Sequence, residues 1–417
     1  MEGSLNDDGT EELKGLRITS LDDESDEEEQ QTEQTEQEIV VDNDDEEEEE
    51  DEEARDSMVL GFVKRPKKAS SLLRHFFPSK AGGVPAWLDP ENLPSGKSCL
   101  CDLCGEPLQF MLQVYAPVEK PSTFHRTLFV FMCTSMACLR RDQHEQWKCQ
   151  RDNPSRSVKA FRCQLPRDNP FYPSEPPKKN TEPPEARAAL CNWCGTWKGI
   201  KRCTGCRQTL YCSEKHWVKH SRSGHESDCQ RMRISYQLVE GSSATALNPF
   251  ALVQKVASKA LWPEYKIMQE FESDYDTHMP DDNVNANSMV SRNQMDDGLM
   301  SIADNFEGDG DKKSWASFQE RIDLAPEQVL RYCRSSGAKP LWPLTSGRPS
   351  KANIPKCHYC DGPMCFEFQI LPQLLYYFHV KNDADSLDWA TIVVYTCEAS
   401  CDASVAYKEE FAWVQIS

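Results

Sequence analysis

The sequence predicts a β-rich α+β protein: two related β units with a small metal-held finger inserted between them, an acidic N-terminal tail and an acidic internal loop. Three observations carry this. Residues 191–229 concentrate eight cysteine and histidine side chains in four closely spaced pairs. A cysteine-bearing pattern near residue 100 recurs near residue 357 without a gap. The net charge of −21 belongs to one end of the chain: residues 1–56 hold 27 Asp and Glu against three Lys and Arg, leaving 41 acidic and 44 basic residues from position 57 onward.

Residues 1–57 read as a disordered acidic tail, with an unbroken acidic run from Asp44 to Glu53 and nothing apolar to bury. The tail is either a solvating segment or a polyanion that shields a basic partner in place of phosphate. No apolar leader follows Met1, and no run approaches the ~20 apolar residues that cross a bilayer. Nineteen cysteines in such a chain suggest thiols held on metal or buried in a reducing compartment.

The N-terminal β-rich half spans 58–170. Leu60, Gly61 and Phe62 open it, and Lys64, Arg65, Lys67 and Lys68 make a short basic cluster of the import-signal kind. The run from Thr127 to Met132 is aromatic and β-branched, as a buried strand requires, and ends at Cys133. A proline-dense linker covers 171–189, the finger 190–230, and a connecting helix and strand 231–271, with Pro263 at their join. Residues 272–313 read as a disordered acidic loop. Its end resembles a calcium loop counted from Asp309, but Lys313 and Ser314 fall where a ligand and a glycine are needed. The C-terminal half covers 314–417. Pro326 and Glu327 suit a helix start, Val329, Leu330, Tyr332 and Cys333 are expected inward, and EEFAWVQIS reads as a final strand.

The repeat aligns Cys101-x2-Cys104-x2-Pro107-x2-Phe110-x2-Gln113 with Cys357-x2-Cys360-x2-Pro363-x2-Phe366-x2-Gln369. Each is followed by an apolar strand that delivers a second pair, Cys133 and Cys138 or Cys397 and Cys401. One reading is a two-knuckle metal site in each half. Another is buried strand-end thiols. A redox Cys-x2-Cys is disfavoured because neither pair opens a helix in a βαβ unit. Cys99, Cys149, Cys163, Cys333 and Cys365 have no paired spacing and are expected to be structural.

In the finger the pairs are Cys191 and Cys194, Cys203 and Cys206, Cys212 and His216, His225 and Cys229. Gaps of two or three residues let both members of a pair reach one ion, and soft ligands in fours suit tetrahedral Zn²⁺, so eight imply two ions. A segment this small needs metal to fold. The order of pairs resembles the MYND zinc finger, including Tyr211-Cys212 and the closing His225-x3-Cys229. That resemblance implies cross-bracing: Cys191, Cys194, Cys212 and His216 on one ion, and Cys203, Cys206, His225 and Cys229 on the other. His216 stands where many such fingers carry cysteine, and His220 is expected to be a solvated helix histidine. MYND fingers dock short peptides and carry no chemistry.

Longer segments widen the likeness. Leu60-Gly61-Phe62, Pro85-Ala86-Trp87-Leu88, LQVYAP at 112–117, Phe124-His125-Arg126, QLPR at 164–167, LAPEQVLRYCR at 324–334, FEFQILPQLL at 366–375 and DWATIVVYTCEASC resemble the programmed cell death protein 2 family. That resemblance implies a dedicated chaperone in cytoplasm and nucleus. Its client would be a nascent small-subunit ribosomal protein, captured by the two outer halves with the finger as accessory. Exposed strand edges in two sheets offer one means, by β-addition of an extended client segment. A MYND-type adaptor for transcriptional or cell-death control is the alternative. No nucleotide loop, nucleophile elbow or His-Glu-x-x-His is present, so no catalytic residue is expected, and no strong basic surface outside Lys64–Lys68 argues for nucleic acid.

Overall fold

The computed structural model describes residues 58–148, 155–176, 189–240, 256–276 and 309–416. The acidic tail, most of the acidic loop, much of the proline-rich linker and Cys149 lie outside them.

Ten of the twelve described strands close one barrel, in the order β1-β8-β2-β3-β4-β5-β12-β11-β10-β9 and back to β1. They are β1 (Val59–Lys64), β2 (Lys80–Ala81), β3 (Gln109–Tyr115), β4 (His125–Met132), β5 (Val158–Leu165), β8 (Tyr265–Phe271), β9 (Leu330–Tyr332), β10 (Met364–Ile370), β11 (Thr391–Cys397) and β12 (Tyr407–Gln415). The short strands β6 (Lys201–Arg202) and β7 (Leu210–Tyr211) form a separate hairpin in the finger.

The expected two β units are therefore one closed sheet. The repeat survives inside it. Exchanging β1 with β8, β2 with β9, β3 with β10, β4 with β11 and β5 with β12 leaves the circular order unchanged. Register breaks fall at Phe110/Leu112 and at Phe366/Phe368, the same repeat position. The buried Gln113 and Gln369 play one role: Gln113 accepts from Ala86 N and donates to Pro78 O, while Gln369 accepts from Leu341 N and donates to Leu341 O. The first strand of each half crosses to the other side of a seam, because β8 sits between β1 and β2 and β1 sits between β8 and β9. Closure also pairs the sheet edges on which β-addition would depend.

Period-two alternation sorts the side chains. Leu128, Val130 and Met132 join Leu112, Val114, Ala160, Ile267, Leu330, Phe368, Ile392 and Val414 in the barrel interior. Phe129 and Phe131 point outward into a second cluster with Trp87 and the finger. Phe366, Val393, Tyr395 and Trp413 point outward on the C-terminal half, against Trp342 and Ile354. Residues 317–333 differ from the expected helix start at Pro326: the helix is Asp309–Asp323, and Pro326 follows it. Val329 to Tyr332 cannot continue as helix because β9 is zipped between β1 and β10. Asp311, weighed for calcium, caps Thr345 N and Ser346 N.

The interior carries a charged layer. Glu367 is fully buried and accepts from Arg126 Nη1 and Nη2 at 2.6 and 2.7 Å, Arg334 Nη1 at 2.6 Å, Tyr332 Oη at 3.0 Å and the Thr396 hydroxyl. Burial alone would raise its pKa, but Arg126, Arg334 and Thr396 outweigh it and hold the carboxyl at about 2. Arg162 pairs with Glu410 in the same layer. Both pairs join the N-terminal half to the C-terminal half.

His125 is buried against Phe77 at 4.0 Å between ring centroids, its Nδ1 meets the Tyr115 hydroxyl at 3.0 Å, and its buried Nε2 has no partner. Burial pushes its pKa down to about 4. A folded pKa below the ordinary 6.5 means the neutral ring stabilises the fold at full strength above 6.5 and loses that contribution as pH falls toward 4. Glu367 adds a second loss below its ordinary 4.5, as pH falls toward 2. The unfolding free energy measured by urea titration should therefore drop between pH 6.5 and 4, by on the order of 2 kcal/mol for His125. The drop should shrink in His125→Phe; an equal drop in that variant would remove this cause.

Candidate metal centres

Four cysteine-rich groups come together, and they are the four sets that spacing and resemblance singled out. They are Cys101, Cys104, Cys133 and Cys138; Cys191, Cys194, Cys212 and His216; Cys203, Cys206, His225 and Cys229; and Cys357, Cys360, Cys397 and Cys401. Within each, the four candidate ligand atoms lie within 4.8 Å of one another.

One turn builds all four. The residue four places after the first cysteine takes the left-handed conformation: Gly105 (φ 68), Gly195 (φ 65), Arg207 (φ 57) and Asp361 (φ 59). Each donates its backbone N–H to the carbonyl of that first cysteine, at 2.8, 2.8, 3.0 and 2.8 Å respectively. The first cysteine's own N–H closes the loop onto Glu106 O, Trp197 O, Thr209 O or Gly362 O. This folds both thiols of a Cys-x2-Cys toward one point. The second pair is then brought in by a strand end (Cys133, Cys397), the residue after a hairpin strand (Cys212), the turn that follows β11 (Cys401) or a helix. Cys138 lies on α1 (Met136–Trp147), His216 on α2 (Glu214–His220) and Cys229 on α3 (Glu226–Glu240). Ser213 caps α2 by accepting from His216 N at 3.1 Å, which fixes where the imidazole starts. A π turn at Ser221–His225, with Gly224 at φ 116, aims His225 inward.

Distances discriminate among the readings. Cys104–Cys133, Cys203–Cys229, Cys357–Cys401 and Cys360–Cys397 have Sγ···Sγ separations of 3.6, 3.7, 3.7 and 3.6 Å, and Cys194–Cys212 4.0 Å. A disulfide needs about 2.05 Å. A tetrahedron with metal–sulfur bonds of about 2.3 Å has edges of about 3.8 Å. His216 Nδ1 lies 3.1 Å from Cys212 Sγ and 3.7 Å from Cys191 Sγ. His225 Nε2 lies 3.3 Å from Cys203 Sγ and 3.9 Å from Cys206 Sγ. None of the described cysteines is disulfide-bonded. The donor set and spacing fit tetrahedral zinc-type binding in all four groups. His220 is outside them: half-buried, it meets the Tyr211 hydroxyl through Nδ1 at 3.0 Å. Cys99, Cys163 and Cys333 are buried away from the groups and Cys365 is half-buried.

The finger is packed into the N-terminal half. Trp197, fully buried, donates Nε1–H to Leu108 O at 2.7 Å, and Trp87 donates its own to Thr196 O at 2.8 Å. Both rings lie against Phe131, Trp197 tilted at 4.3 Å and Trp87 stacked at 5.4 Å between centroids. Lys215 reaches Cys104 O at 2.9 Å, and Lys215 and Lys219 both pair with Glu106. Residues 256–258 strap the finger's first turn through Ala257 N to Asn192 O and Ser258 N to Trp193 O, both 3.0 Å.

The fold and these centres define a β-barrel protein whose surface turns are metal-type cysteine knuckles. Residues 57–179 match the family model for the N-terminal domain of programmed cell death protein 2, and 312–416 that for its C-terminal domain. The chain belongs to the programmed cell death protein 2 family. It is 33% identical to programmed cell death protein 2 of Bos taurus over 368 residues, covering 85% of this chain and 95% of that one. It is 27% identical to programmed cell death protein 2-like of Gallus gallus over 375 residues, covering 81% and 93%. A Schizosaccharomyces pombe protein named "Probable 20S rRNA accumulation protein 4" is 32% identical over 121 residues, covering 25% of this chain and 28% of that one. No solved structure matches.

Proposed function

We propose that this protein is a zinc-held, non-enzymatic chaperone that captures a newly made small-subunit ribosomal protein and supports small-subunit production. The observation that carries this reading is the family membership together with the relative named for 20S rRNA accumulation. The geometry supports the zinc part: four cysteine–histidine groups, each with its candidate ligand atoms within 4.8 Å of one another, sit in tight turns. Two ions would lie in the central finger, read as MYND-type, and one in each outer knuckle. The acidic tail would add a salt-sensitive attraction for a basic client. Residence in cytoplasm and nucleus follows from the same reading, with Lys64, Arg65, Lys67 and Lys68 exposed at the end of β1 as import signal.

Affinity capture of the tagged full chain from dividing cells tests it. Recovery dominated by one small-subunit ribosomal protein is expected; a spread of unrelated proteins would exclude a dedicated client. The adaptor alternative is favoured by two exposed apolar side chains on the finger, Ile200 and Trp217. Deleting 190–230 does not separate the two readings, because Trp197 is part of the core. Ile200→Glu does: it should disable an adaptor and leave client capture intact.

A further inference from the structure

The finger carries a basic face within an acidic protein. Between Cys191 and Arg233 stand nine Lys and Arg against three Asp and Glu. All nine cations are exposed: Lys198, Lys201, Arg202, Arg207, Lys215, Lys219, Arg222, Arg231 and Arg233. Each Cys3His site holding a divalent ion has formal charge −1, so an excess of six cations falls only to four. Among the described residues, no carboxylate pairs with Arg202, Arg207, Arg222 or Arg233.

Apolar side chains are set among these charges. Ile200 is 55% exposed beside Lys201 and Arg202, and Trp217 is 40% exposed on α2. The two elements form one surface. Lys201 Nζ meets Glu214 Oε2 at 3.3 Å, and Trp217 lies three residues after Glu214, on the same side of the helix. Arg202 bonds to Arg207 O at 3.1 Å, which continues the cationic stretch along the hairpin.

We propose that this face of the finger binds single-stranded RNA, with Lys201, Arg202 and Arg207 following the phosphates and Trp217 stacking on a base. Charge alone would also admit an acidic polypeptide. Trp217 decides between them: an indole face carries negative potential, which gains nothing from a carboxylate, whereas every nucleobase can stack on it. The site is independent of the client-capture reading, since it uses the finger's outer face and none of the barrel. Sequence reasoning missed it because charge was counted for the tail and for all of 57–417 together, and within the second stretch the finger's excess of cations is averaged against the acidic internal loop.

The test uses the full chain with its metal and a fluorescein-labelled 20-nucleotide oligouridylate, read by anisotropy. Binding should weaken as salt rises from 50 to 200 mM, with a slope of about −0.7 in log K per log salt for each phosphate neutralised. Lys201→Glu/Arg202→Glu should bind at least about tenfold more weakly, with a flatter slope. Trp217→Ala should bind roughly five- to tenfold more weakly with its slope unchanged, and Trp217→Phe should restore most of the loss. Unchanged metal content in each variant verifies the finger. No binding at 50 mM salt, or variants that bind like the parent, would overturn the proposal. So would labelled polyglutamate binding as tightly as the RNA, which would assign the face to an acidic protein.

Discussion

Glu367→Ala is expected to destabilise the fold by about 3–5 kcal/mol, among the largest effects available to one side chain here. The carboxylate is fully buried and answers two arginines, a tyrosine and a threonine. Its removal leaves Arg126 and Arg334 facing each other without the carboxylate they share, and Arg126 Nε already lacks a partner. Much of the loss would come from those stranded cations, so Arg126→Met/Glu367→Leu should be more stable than Glu367→Ala despite carrying an extra change. Urea unfolding followed by tryptophan fluorescence measures both. A double variant no better than the single would show that the loss is one of packing.

Stripping metal should have a comparable effect, localised differently. Around the finger's two sites the chain offers little core of its own beyond Trp197 and Tyr211, so these residues should lose their structure with the ions. Trp197 would leave its contact with Phe131 and Leu108, and Trp87 would lose the Thr196 carbonyl. After exhaustive chelation under reducing conditions, amide exchange across 191–229 should rise to near the unfolded rate, and fluorescence should shift red. The barrel interior, held by Leu128, Val130, Phe368, Ile392 and their neighbours, should keep slow amides. Protection across 191–229 that persists once metal is gone would refute the clamp role of these thiols.

The four cysteine–histidine groups were readable because residues that converge on one point from a tight turn keep short, fixed spacings that survive in one dimension. The repeat was readable for the same reason, down to Gln113 and Gln369. What escaped were features that depend on distant partners. Cys-x2-Cys-Gly at 101–105 and 191–195 signals the left-handed turn, but Arg207 and Asp361 hide the same turn in the other two knuckles. Val329 to Tyr332 has no periodicity that separates helix from a three-residue strand, and its partners β1 and β10 lie far off in sequence. Nothing local shows that Glu367 belongs with Arg126, 241 residues earlier. Two separate sheets were expected because each half reads as self-sufficient; that β1 crosses to pair with β9 is a property of the closed circuit alone.

That crossing has a consequence for how the chain is made. Val59 to Gly61 cannot acquire its two neighbours until residues 265–271 and 330–332 have been translated, so the earliest strand is among the last to be secured. Vectorial synthesis would release the N-terminal sequence with its hydrophobic borders bare for the time needed to make more than half the polypeptide, and contacts of such long sequence separation form slowly. A protein of this topology is itself exposed to premature association on the ribosome, and truncation products ending before residue 265 should be recovered aggregated or degraded.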